Sequence, residues 1–540
     1  GTFTPGAGTI ILSGNGKTLT QKADGSNNFF NLTIAAGTKT AGSNLNIDGA
    51  LLIDPGTLDM SGTNYTLDVE GDLTISNTGT FTPQGSTTHD VLGSWNDAGG
   101  TFTPGAGTII LSGNGKTITT AAGNNFFNLT IAAGTKTAGS DLDINGVLTV
   151  TGTLAMAANS ADVAGITDID GILSLTTGTF TANGTTDVDG AGTLTIGGTG
   201  TYNADGQFTA AGNVTFTAEG NLVCSNILDN TFGTLTPTLG KVTFDAGGAQ
   251  ALPEETFHDL TVNNAANLTM ANDVQVDGVL DFPLPPSLSG DIITLDNTLT
   301  IGTGGSITNA TDDAHVNVSD EAGFLAKVFA GASLFSFPVG NGDILRPIDL
   351  TTDAASTFEV RYDDEKFTGG GGNDINTSGS LSDLGDATWN GGHVSGYANL
   401  NSTANPAVAN TPAIPVNRGY HYNISRSAGT ANASLTVVWK DRSQFLTDGP
   451  GTPALPVNVT GITWAEWKNT AWEVITSNPT GSIDDGQVNT TANPDFSLTN
   501  FTLGSLDGSN YLPIDLVSFD GECIDNQTNL EFVVASQVNN

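Results

Sequence analysis

Two short segments place carboxylates at alternate positions just ahead of a glycine, Asp168-Ile169-Asp170-Gly171 and Asp187-Val188-Asp189-Gly190. Alternate side chains of a strand share a face, so each segment sets two carboxylates side by side, and two such strands in register would gather four. That grouping supports two kinds of chemistry: a proton shared between like charges, as in glycoside hydrolysis, or capture of a hard cation such as calcium. The plainer reading is a solvent-facing strand that runs into a glycine corner, and it is the one adopted. No catalytic residue, metal ligand or resident cofactor is assigned, and calcium is the one ion the composition would suit.

Other reactive side chains form no constellation. His89, His258, His315, His393 and His421 are scattered, without a His-Glu-x-x-His motif or a triad, and each reads as a surface or core histidine. Cys224 and Cys523 lie far apart with no Cys-x-x-Cys near either and read as unpaired. A lyase of the pectate type would need an arginine beside acidic calcium ligands, and no Arg precedes Arg346. The early lysines fall at repeat-equivalent positions, Lys17 with Lys116 and Lys39 with Lys136, which reads as architecture in turns. No enzyme is expected. Recognition by aromatic rings has one candidate platform, Trp464, Trp467 and Trp472, although a sandwich core would claim the same rings.

Charge narrows the partners. The 540 residues carry 15 Lys+Arg against 55 Asp+Glu, a formal net charge of −40. Nucleic acid and anionic membranes are poor partners for such a surface, and no apolar run approaches the ~18 residues of a membrane span. The chain opens at Gly1 in mid-repeat with no leader, and so reads as a mature or truncated piece of an exported, extracellular protein.

The elements that position these residues are repetitive. Residues 1–18, GTFTPGAGTIILSGNGKT, recur unchanged at 100–117, and NNFFNLTIAAGTKTAGS at 27–43 returns at 124–140. A looser copy begins near Gly240. Within these long repeats runs a shorter one, an apolar pair, a glycine and a second apolar pair: Leu45/Ile47, Gly49, Leu51/Ile53, and again Leu142/Ile144, Gly146, Leu148/Val150. Period-2 strands recurring every 20 to 25 residues make about one coil of a β-helix each. One coil cannot bury its own apolar row, so coils must stack about 4.8 Å apart, roughly 14 of them over residues 1–314. The glycines read as positive-φ corners. Separate sandwich domains at the long-repeat spacing are the rival architecture, and the short dyads argue against it.

After about residue 315 the dyads vanish. Five of the six Trp and all five Arg lie in this part, together with alternating segments such as Ala433-Ser434-Leu435-Thr436-Val437-Val438-Trp439. Phe337-Pro338-Val339-Gly340, the Arg346-Pro347 strand and Phe501-Thr502-Leu503-Gly504-Ser505, following a repeat-rich rod, resemble large surface proteins of Bacteroidota, many exported by the type IX secretion system. Leu512-Pro513-Ile514-Asp515-Leu516-Val517-Ser518-Phe519 and Leu530-Glu531-Phe532-Val533-Val534 resemble the start of their penultimate sandwich, with Phe532 where Trp is usual. The resemblance implies a cell-surface or secreted, adhesin-like protein with an Ig-like region, and its sorting domain is not in view.

The expected molecule is therefore all-β: a β-solenoid over 1–314, a β-sandwich region over 315–510, and a C-terminal strand segment over 511–540. The expected function is structural or adhesive. The apolar strand residues Leu512, Ile514, Leu516, Phe519, Leu530, Phe532 and Val534 are candidates for donation to a neighbouring copy, which would build a filament. A surface glycan or protein bound by the 315–510 sandwich is the alternative, and polysaccharide degradation is disfavoured.

Overall fold

The structure is a computed structural model, and it describes the chain except residues 1–5, 23–26, 63, 84, 86, 227, 237–238, 285–289, 319–321, 343, 364–367, 370–372, 375–396, 400–414, 418–420, 440–458, 469–470, 483–484, 498–499, 506–515, 525–526 and 535–540. The described residues are nearly all β, with one short 3-10 turn at Val459–Gly461. About 15 turns of β-solenoid are present, and sandwich sheets occur in the C-terminal part. The expected fold class is what the chain adopts. Two compact units divide it, Gly1–Gly290 and Asp291–Asn540.

In the first unit a complete coil has three strands. Thr135–Ala138, Leu142–Ile144 and Leu148–Val150 form one coil, and Thr153–Ala157, Ala161–Val163 and Thr167–Ile169 form the next. Strands of these coils pair in parallel with their equivalents one coil on, Leu142 opposite Ala161 and Leu148 opposite Thr167. Period-2 alternation decides which residues fill the interior: Leu142, Ile144, Leu148 and Val150 are buried, while Asp143 and Thr149 between them face outward or half-outward. Each fully buried Leu or Ile contributes about 1.5–3 kcal/mol of transfer free energy, and only the coils above and below can bury it. Aromatic rings share the interior, with Trp95 against Phe102 and Phe126 at centroid distances of 4.8 and 5.3 Å.

The glycine of the dyad is needed for a reason the sequence reading missed. Gly49, Gly71, Gly146 and Gly165 do not have positive φ; a Cβ on Gly71 would lie 2.6 Å from the Gly49 carbonyl carbon, and one on Gly165 would lie 2.3 Å from the Gly146 carbonyl oxygen. The dyad glycines form a column in which the backbone of one coil sits against the backbone of the next. Close approach, not left-handed conformation, excludes a side chain there.

In the second unit solenoid-type parallel pairing runs from Ile292 opposite Val316 to Val316 opposite Val339. Phe324–Phe329 pairs in parallel with Thr298–Ile301 on one edge and antiparallel with Ser356–Asp363 on the other. The same strand thus ends the parallel ladder and starts an antiparallel sheet, so an antiparallel neighbour satisfies the backbone groups on its far edge. That sheet continues through His421–Gly429, Asn500–Ser505 and Ile462–Lys468. A second sheet runs Ser333–Phe337, Ile348–Thr352, Ala433–Trp439, Gly486–Thr490, Ser477–Gly481. Phe329 of the first sheet meets Phe335 of the second edge-on at 6.4 Å, and Trp464 Nε1 of the first donates to the Val488 carbonyl of the second at 3.2 Å.

Candidate functional site

Parallel register brings the two Asp-x-Asp steps together. Asp168 of Thr167–Ile169 stands opposite Asp187 of Thr186–Val188. Asp168, Asp170 and Asp189 each offer an oxygen within 4.8 Å of the others. Desolvation and the neighbouring Asp189 and Asp187 charges push the Asp168 carboxyl above the usual carboxylate range, and a hydrogen bond with Asp189 does the same for Asp170. Three oxygens suit a hard cation but fall short of the six to eight that calcium takes. They are also closer together than the ~5–5.5 Å of a retaining glycosidase pair or the ~6.5–9.5 Å of an inverting one.

Similar pairs occur on other coils. Asp68 stands opposite Asp90, and Asp143 opposite Asp162. Burial and then the neighbouring carboxylates raise Asp68, and burial and then Asp162 raise Asp143. The acidic surface is therefore a set of stacked ladders, a consequence of repeats with Asp at an outward position.

The lysines are placed otherwise than expected. Lys39 and Lys136 lie within the strands Thr38–Ala41 and Thr135–Ala138, not in turns, and their side chains are buried. Lys136 Nζ donates to the carbonyls of Gly113 and Ala133, and Lys39 Nζ donates to the Ala36 carbonyl at 2.5 Å. In the second unit Lys327 Nζ donates to the carbonyls of Gly302 at 2.5 Å and Gly305 at 2.7 Å. Burial holds all three ammonium groups below the usual lysine range. These side chains fill interior positions and cap the carbonyls of a turn. The signal was present, since Lys136 and Ala138 share the inward parity that Leu154 occupies one coil on.

Histidines serve the frame. His89 Nδ1 accepts the Leu67 N–H at 3.1 Å within the core, and His315 Nδ1 lies 3.3 Å from Asp291 Oδ1 with both groups buried. His258 lies 3.2 Å from Asp259, His421 Nε2 lies 3.5 Å from Asp363, and His393 is outside the described residues. Cys224 is a free, buried thiol, pushed up to about 12 by burial.

The expected aromatic platform loses its first member. Trp464 is completely buried and its indole N–H is bonded to Val488, so its ring presents no face to a ligand. Trp467 is half-buried and stands opposite Trp472 in the antiparallel pair Ile462–Lys468 with Ala471–Ile475. Of the strand-donation candidates, Leu512 and Ile514 lie outside the described residues. The others fall in a hairpin of Leu516–Ile524 and Gln527–Val534, with Phe519 opposite Phe532, Gly521 opposite Leu530 and Leu516 opposite Val534. Among the described residues this hairpin is a two-stranded sheet joined to no other strand.

Compared with family models, with curated proteins and with solved structures, the chain matches none of them.

Proposed function

We propose that this protein is an extracellular, non-enzymatic structural protein that assembles with copies of itself, each copy lending its C-terminal hairpin to the next. One observation carries the reading: the hairpin of Leu516–Ile524 and Gln527–Val534 pairs only within itself among the described residues. An isolated two-stranded hairpin is marginal in water, and its outer edges offer N–H and C=O groups to another sheet. A contact between one end of a copy and a different surface of the next is heterologous, and such contacts propagate into filaments when they do not close. The stacked coils support a scaffold role, because apolar residues of neighbouring coils bury one another and outward positions repeat polar rows such as Asp143, Asp162 and Thr181.

The test compares the full chain with a form lacking 511–540 by sedimentation velocity and circular dichroism. The full chain is expected to assemble, and the shortened chain to remain folded and monomeric. Equal assembly by both, or a full chain that stays monomeric at every concentration, overturns the reading.

A further inference from the structure

One face of the first unit is interrupted. Leu142–Ile144, Ala161–Val163 and Thr179–Ala182 stack there on successive coils, with Asp143, Asp162 and Thr181 in one register row. One coil earlier the same face carries no strand, and residues 120–125 form a loop joined to Ile144 only through a bridge from Phe126. The loop is pinned from below. Buried Asp97 takes the Trp95 indole N–H at 3.2 Å and the Ala121 N–H at 2.9 Å; Asn124 Nδ2 donates to the Gly100 carbonyl at 3.1 Å, and its Oδ1 accepts the Phe102 N–H at 3.3 Å. A groove of about 490 Å³ results, walled by this loop and floored by the row of Asp143, Asp162 and Thr181. That volume lies within the range of small-ligand sites.

The lining selects the chemistry. No Lys or Arg occurs between Lys136 and Lys241, and Lys136 is spent inside the core. Anionic ligands are therefore repelled. The Asp143 carboxylate makes no side-chain hydrogen bond among the described residues, and partial burial and then the neighbouring Asp162 disfavour its charged form, so an arriving cation offsets the repulsion between the two carboxylates. Ser160 Oγ accepts the Thr179 N–H at 3.2 Å and can still donate. The floor begins with the edge strand Leu142–Ile144, but Phe126 already bonds the Asp143 carbonyl and the Asn145 N–H on its outer side and Thr120 Oγ1 donates to the Asp141 carbonyl, which leaves an extended peptide little edge to pair with. Ala121, Ala122 and Ala161 leave no apolar pocket for its side chains.

We propose that this groove binds a glycan chain bearing free amino groups, laid along the stack with about one sugar per coil. The coil rise of about 4.8 Å is close to the length of a pyranose unit. Ammonium groups would meet Asp143 and Asp162 in charge-assisted hydrogen bonds, and ring hydroxyls would meet the Ser and Thr hydroxyls alongside. The site is independent of the self-assembly proposed above.

The test is calorimetric titration of the full chain with a glucosamine hexamer, its fully N-acetylated counterpart and hexalysine. Binding of the glucosamine hexamer is expected to be about tenfold or more tighter than that of the acetylated chain. It is expected to be lost to a similar degree in D143N/D162N and in Thr181→Arg, which sets a cation on the floor, and to persist in D168N/D189N on another face. The proposal falls if the glucosamine hexamer does not bind at millimolar concentration. It also falls if D168N/D189N weakens binding as much as D143N/D162N, or if hexalysine binds as tightly as the sugar.

Discussion

Replacing Gly165 by alanine tests the packing argument at a single atom. The added Cβ would lie 2.3 Å from the carbonyl oxygen and 2.6 Å from the carbonyl carbon of Gly146, about 1 Å inside ordinary contact distance. The obstacle is backbone, and Gly165 N–H donates to that same oxygen at 3.0 Å. Relief requires the two coils to part locally and that bond to stretch. Overpacking of this kind costs about 1–3 kcal/mol and a lost buried hydrogen bond about 1 kcal/mol more, together about 2–4 kcal/mol. Gly190→Ala is the internal control, because its Cβ would meet nothing within 4 Å and its φ is not left-handed; it is expected to be neutral or to stabilise by about 0.4–1 kcal/mol. Denaturant unfolding of both variants gives the magnitudes, and hydrogen exchange locates the damage. Because a solenoid's stability is close to a sum of neighbour terms, faster exchange is expected in Leu142–Ile144 and Ala161–Val163 and not in distant coils. A G165A protein within 0.5 kcal/mol of wild type, or one no different from G190A, would refute the close-approach argument.

Three further outcomes follow from the side chains. K136M leaves the Gly113 and Ala133 carbonyls without their donor and is expected to cost about 1–3 kcal/mol. Burial lowers the Lys136 value in the folded state, so the unfolded chain binds more protons from that lowered value up to the ordinary lysine value of 10.5; stability from this group rises with pH across that window, and a wild-type advantage that stays flat as pH is raised toward 10 contradicts the assignment. The raised carboxyls of Asp68, Asp143, Asp168 and Asp187 have the opposite consequence. Their stabilisation is fully present below the unfolded value of 3.8 and is lost as pH rises through their folded values, so the protein is expected to resist denaturant better near pH 4 than at pH 7, with D168N/D187N narrowing the difference; equal resistance at both pH values counts against the ladders. Trp464→Ala is expected to destabilise by about 3–5 kcal/mol in thermal and denaturant unfolding, whereas a protein of unchanged stability would return Trp464 to the role of a surface ring.

Much of the solenoid was legible because its signal is a periodicity. Leu142, Ile144, Leu148 and Val150 point inward because alternation and stacking admit no other parity. The reason for Gly146 was not legible, since a single sequence does not reveal which backbone lies against it. Buried polar contents escaped for a related reason: Thr167 and Thr186 occupy inward positions, and Thr186 Oγ1 meets the Tyr202 hydroxyl at 2.8 Å, a partner contributed by a different sheet of the solenoid. The three internal lysines were hidden by the general expectation that a charge faces water. Composition placed a boundary near residue 315, where dyads stop, while parallel pairing continues to Val339–Asn341 on strands of a different sequence texture. Of the candidate sites, the Asp-x-Asp steps could be paired from the repeat spacing alone. The groove beside Asp143 could not, because it arises where residues 120–125 fail to form a strand.

Self-assembly is the claim on which the functional account rests, and electron microscopy of negatively stained protein at increasing salt tests it most directly. With a net charge of −40, copies repel one another until the Debye length shrinks from ~10 Å at 0.1 M to ~3 Å at 1 M. Filaments that lengthen across this range, and that are missing when 511–540 is removed, are the predicted result. Single particles at every salt concentration, or filaments indifferent to that deletion, would contradict it.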